Sequence, residues 1–151
     1  MSPDQPHSAL RFLKKVLVLK ISVTALLWAG PLLLFPESAF EALMGQVPDP
    51  INYARLLGLA YLALMTNYIC GFIDASKGVV PWTTIYTGLV SNGGGVLLLV
   101  YLSVTGSGSP SPLTLVSIGL VSVITLGLTI SWVRLRSSDA PSYSTPLPRA
   151  S

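Results

Sequence analysis

Hydrophobic positions in this chain fall into four long runs, at 16–35, roughly 53–73, 82–104 and 113–133. Each run is about 20 residues, the number of helical residues that crosses a hydrocarbon layer of about 30 Å. Backbone groups in lipid must bond within their own segment, so the runs predict helices. None shows the strict two-residue alternation of barrel strands. The breaks between them, "PESAFEALMGQVPDPIN", "DASKGVVP" and "TGSGSPSP", are short and rich in turn residues, which favours antiparallel neighbours. The pattern therefore predicts an all-α, integral membrane four-helix bundle with up-down-up-down topology. This domain covers 11–136, between a flexible leader at 1–10 and a disordered polar tail at 137–151. The first break has room for a short interfacial helix. Glu37 and Glu41, four apart, would share one of its faces, and Gly45 would end it. The second span is expected to begin near Asp49 or Pro50, with Asp49 as N-cap.

Composition agrees with lipid as the solvent. The chain is 51% hydrophobic and only 10% charged, against about a quarter charged in ordinary soluble domains. The nine Lys and Arg residues fix an orientation. With both termini cytoplasmic, the inner side holds Arg11, Lys14, Lys15, Lys20, Lys77, Arg134, Arg136 and Arg149, and the outer side holds Arg55 alone. Trp28, Trp82 and Trp132 lie near run ends, where interface anchors sit. Lys20 is expected to snorkel towards the inner headgroups. The first run follows the basic flank "RFLKK", but it is longer than a signal-peptide core and contains Lys20, so it reads as a retained helix.

The polar groups inside this apolar frame are few. Arg55 opens the second span and follows an acidic stretch holding Glu37, Glu41 and Asp49. A charge at the membrane edge needs a partner, so Arg55 is expected to pair with one of these carboxylates. The first reading of the cluster is a pin holding the outer loop on the bundle. The second is an anion or headgroup site at the outer mouth, using Arg55, Tyr53 and Asn52. The third is an acid–base pair of Glu37 with Glu41 or Asp49. Asn67 and Asn92 are the polar groups at depth. Asn67 lies about 120° round the helix from Arg55, so the two need not share a cavity. Asn92 is expected to bond a neighbouring helix, Asn67 included, either as packing glue or as part of a substrate-contacting pair. Thr84, Gly88 and Asn92, with Ser91 and Gly95 beside them, form a small-residue edge. Ser122, Thr125 and Thr129, with Gly119 and Gly127, form others. The run Gly93–Gly95 predicts a weak point or kink in the third helix.

Several chemistries lack their residues. No Asp, Glu or His lies in the middle of a run, which disfavours proton-coupled transport. The one histidine, His7, is in the leader, so no Ser-His-Asp set exists. His7 and the single cysteine, Cys70, are too far apart to build a metal site, and Cys70 reads as a small buried apolar residue. No metal or cofactor is expected, and no catalytic residue can be named. The basic residues are not arranged for nucleic-acid binding.

The stretch "LLLFPESAFEALMGQVPDPINYARLLGLAYLALMTNYICGF" resembles the signature region of small four-helix membrane proteins of the broad DoxX-like group. There, a first helix ends in Phe-Pro, a loop with a glycine follows, and a second helix opens Arg-x-x-Gly. The corresponding residues are Phe35, Pro36, Gly45, Arg55 and Gly58. The likeness covers helices one and two. It implies the four-helix bundle and a role for Arg55, and an association with membrane redox complexes or accessory roles.

The leading expectation is an accessory or assembly subunit of a membrane complex. Its partners are the lipid bilayer and either another membrane protein or further copies of itself, and not nucleic acid. A membrane enzyme of isomerase or cyclase type, acting on a lipophilic small molecule through carboxylates near Arg55, is one alternative. A lipid or small-molecule binding or carrier protein, with a groove between helices two and three past Asn67 and Asn92, is another.

Overall fold

Proline and glycine decide where the first hydrophobic run bends and where it stops. The computed structural model describes residues 5–44, 50–106 and 112–138, and every regular element among them is helical. The first run is a rod in three pieces: α1 (Gln5–Val23), a π-helical turn (Thr24–Ala29) and α2 (Gly30–Leu34). Pro31 lacks an N–H, and in a regular helix its ring would collide with the carbonyl four residues back. The wide π turn just before it relieves that conflict. Gly30 donates its N–H to the Ala25 carbonyl, and a Cβ on residue 30 would lie 2.7 Å from that same oxygen. Glycine therefore permits the turn to close.

Pro36 ends the rod by forcing Phe35 into extended backbone, φ −69° and ψ 134°. The short helix α3 (Glu37–Met44) follows, then α4 (Asn52–Ser76), α5 (Trp82–Thr105) and α6 (Pro112–Ser138). α4 stops at a Schellman turn. Val79 N–H donates to Asp74 O and Gly78 N–H to Ala75 O, with Gly78 at φ 82°.

Four stretches, Ser8–Leu34, Asn52–Ser76, Trp82–Thr105 and Leu115–Ser137, are long and apolar enough to cross a membrane, as in a multi-pass membrane protein. Several boundaries differ from the sequence reading. The rod starts at Gln5, inside the segment expected to be loose. α4 starts at Asn52 with Ile51 as N-cap, after Pro50. Asp49, Gly45 and the tail beyond 138 lie outside the described residues. α5 stays helical through Gly93–Gly95. The ladder tolerates glycine at about 1 kcal/mol each when neighbouring turns are sound.

The rod is the hub. α1 lies against both α4 and α6, α5 lies against α6, and α4 touches α5 more sparingly. Between helices in lipid the hydrophobic term falls away, so close packing and hydrogen bonds hold the bundle. Gly71, Gly88 and Gly127 mark close approaches, as does Gly58 against Leu33. A Cβ on any of the four would fall within 3.0 Å of Thr84, Leu128, Val16 or Leu33 respectively. One core cluster gathers Leu13, Leu17, Tyr68, Ile85, Ile124 and Leu128. A second, at the α2 end of the rod, gathers Leu32, Phe40 and Ala54, with Trp28 and Tyr61 packed on it.

Candidate functional site

Arg55 and Lys20 both reach into the bundle. Arg55, on the first turn of α4, is half-buried at the end of the rod. Its Nη1 donates to the Leu32 carbonyl at 2.9 Å and its Nη2 to the Phe35 carbonyl at 2.6 Å. Both acceptors are available for a reason legible in the backbone. Leu32 O would normally accept from residue 36, which is a proline without an N–H. Phe35 O lies just outside α3, whose first bonds run instead from Ala39 and Phe40 to Pro36 O. The guanidinium also sits over the Phe40 ring, 5.6 Å from its centroid. A cation at the negative end of a helix dipole is favourably placed.

Among the described residues Arg55 is thus met by backbone carbonyls and not by a carboxylate. Glu37 and Glu41 are exposed on α3, and among the described residues neither forms an ion pair with Arg55. Asn52 and Tyr53 are exposed too, beside Arg55 in sequence but outside its hydrogen bonds. The nearer acid in sequence, Asp49, lies outside the described residues.

Lys20 is the second cation, and it does not snorkel. It is 5% exposed, and the rod spans Ser8–Leu34, which puts residue 20 near the middle of the crossing rather than at its end. Its Nζ donates to Asn92 Oδ1 at 2.5 Å and stands 5.3 Å from the centre of the Tyr68 ring. Asn92 is aimed by its own helix: its Nδ2 donates to Gly88 O at 2.6 Å, which leaves Oδ1 facing the lysine. The Tyr68 hydroxyl bonds the Ser91 hydroxyl at 2.8 Å. An ammonium has three N–H donors, and Asn92 accepts from one of them. Among the described residues no carboxylate pairs with Lys20, so it is a buried cation held by neutral groups.

Beside this cluster lies a cavity of about 190 Å³. Lys20, Ser91 and Asn92 form its polar end, and Trp28, Tyr61 and Leu64 form one wall. Gly95, Leu98, Leu99 and Val121 complete the lining. A Cβ on Gly94 or Gly95 would meet nothing within 4 Å, so the glycine run leaves space where the sequence reading expected close packing or a kink. Leu98 is 57% exposed, which carries the lining out to the lipid-facing surface. Trp28 stacks on Tyr61, centroids 5.6 Å apart, and both line this cavity.

Asn67 and Asn92 do not meet. The Asn67 side-chain and backbone carbonyls face the Thr84 hydroxyl at 3.4 and 3.3 Å, while its Nδ2 is buried without a partner. The Thr125, Thr129 and Ser131 hydroxyls bond carbonyls of their own helix. Cys70, expected inside, is exposed on α4. Sequence reasoning missed the Lys20 site. The signal was present: Leu10, Leu13 and Leu17 continue one helical face through to Lys20, which moves the start of the span upstream. No family model, curated protein or solved structure matches this chain.

Proposed function

We propose that this multi-pass membrane protein binds a lipophilic small molecule in the cavity between its helices. The observation that carries the reading is the cavity itself: a polar end at Lys20, Ser91 and Asn92, apolar walls, and an edge at Leu98 that faces lipid. Ligand sites are concave and mostly apolar, with a few convergent polar groups. In the full reading the four spans run up-down-up-down with both termini cytoplasmic. Arg11 and Lys14, early in the rod, share a groove with Ser76–Gly78 at the end of α4, which supports antiparallel pairing of these two helices. Arg134, late in α6, lies 5.4 Å from the Phe12 ring, which supports the same for α6. In this reading the chain is also akin to the DoxX-like group, through Phe35, Pro36, Gly45, Arg55 and Gly58.

The test uses the protein in phosphatidylcholine vesicles and long-chain alkyl diazirine probes that differ only in head group. Labelling is expected on the peptides holding Tyr61–Leu64 and Ser91–Leu99. Gly95→Leu, whose added Cβ would meet nothing within 4 Å and whose side chain would occupy the cavity, should cut that labelling at least fivefold and leave the melting temperature unchanged. Equal labelling of the same peptides in Gly95→Leu would overturn the reading.

An accessory or assembly subunit is the second reading. One observation favours it: Val90, Leu97 and Val104 recur every seven residues along α5, all exposed. That is the spacing of a helix seam, suited to a partner helix or a second copy of this chain. The carboxylate enzyme reading has less to stand on, since Glu37 and Glu41 are exposed and line neither the cavity nor the grooves at the basic end.

A further inference from the structure

We infer that the ligand of this cavity is an anionic amphiphile of the bilayer: a long-chain carboxylate whose head group meets the Lys20 ammonium. The inference rests on the cavity reading and adds the chemistry of the head. Lys20 is a cation near the middle of a membrane-spanning rod, with a single hydrogen-bond acceptor, Asn92, and one aromatic face, Tyr68. A charge at that depth is costly unless paired, and among the described residues no acid neutralises it. Bundle charges of this kind usually face a cavity and a counter-ion. Here the cavity is present and the counter-ion is not supplied by the described protein residues.

Three features choose the carboxylate. Lys20 lines the cavity with Ser91 and Asn92 at its polar end, and its ammonium has N–H donors beyond the one given to Asn92. A carboxylate offers two oxygens with about four acceptor sites in a compact head. A phosphodiester head with two acyl chains is poorly suited to a cavity of about 190 Å³, well under the roughly 300 Å³ at which drug-sized sites begin. The same size leaves no room for a whole long chain, and Leu98 shows where the rest goes: out past the cavity edge into the lipid. A neutral lipophile would fit the walls but leave the ammonium without its counter-charge.

The experiment competes a diazirine-bearing palmitic acid against unlabelled palmitate, hexadecanol and methyl palmitate in phosphatidylcholine vesicles. Palmitate should displace the probe from the cavity peptides at concentrations at least tenfold lower than the alcohol or ester. Lys20→Met should abolish that difference and Lys20→Arg should preserve it. Should Lys20→Met not fold, Lys20→Gln reads the same difference. If alcohol and ester compete as well as the acid, while Gly95→Leu still removes labelling, the anion inference falls and the cavity reading stands. If no probe labels the cavity peptides, both fall.

Discussion

Arg55 and Lys20 both reach into the bundle, and they are met in opposite ways. Arg55 is met by backbone. Pro36 leaves Leu32 O without a helical donor, the turn leaves Phe35 O outside α3, and one guanidinium fork takes both. Lys20 is met by one side-chain amide and a ring face, with a cavity alongside. A cation whose donors close off the end of a helix acts as a joint. A cation with donors to spare beside open volume is poised for something that is not protein. The bonds above use two of the five guanidinium donors and one of the three ammonium donors, so the contrast lies in burial: the rest of the half-exposed Arg55 can reach the surface, whereas the rest of Lys20 is shut in beside the cavity.

Three substitutions break or sharpen that contrast. The largest effect is expected for Arg55→Ala, which removes two charge-assisted hydrogen bonds, each about 1.5–3 kcal/mol. Unfolding in mixed detergent should show a loss of about 3 kcal/mol or more, and an unchanged midpoint would mean the joint is not structural. Pro36→Ala comes next. It gives Leu32 O an N–H of its own, so Arg55→Ala should cost about 1 kcal/mol less in that background. Strict additivity in the double-mutant cycle would show that the proline does not set up the arginine site. The smallest effect is expected for Lys20→Met. It trades an unneutralised buried cation, which destabilises, against an Asn92 oxygen left without its donor. The net change should stay within about 1 kcal/mol. A loss as large as that of Arg55→Ala would make Lys20 a second joint.

The spans were legible because lipid demands long apolar helices, and hydropathy reports that demand directly. Arg55 was legible as important but not in its partner. Acids at 37, 41 and 49 drew the eye because they are near in sequence, whereas its acceptors, Leu32 O and Phe35 O, lie more than a helix away in the chain and carry no side-chain signature. The one clue was Pro36, read backwards four residues. Lys20 was misplaced by a boundary. The residues before Val16 are basic, so the run seemed to start there and the lysine seemed terminal. The helix continues upstream because Leu10, Leu13 and Leu17 are buried on the face that also buries Lys20. The cavity was the least legible feature. Glycines read from sequence as close contacts or as a weak point in the helix, and only the neighbours reveal that Gly71, Gly88 and Gly127 are packed while Gly94 and Gly95 are open.

The π turn between Val23 and Gly30 also sets the phase of the rod. In an unbroken α-helix, positions 20 and 32 would point about 120° apart around the axis. Taking up one additional residue in a π turn cancels about 100° of that difference, and Lys20 and Leu32 do both face inward. The rod thus holds a spare residue at 24–29. Losing it there would let the helix rewind with both ends still aligned, whereas losing a residue elsewhere between the two would turn one inward group towards the acyl chains.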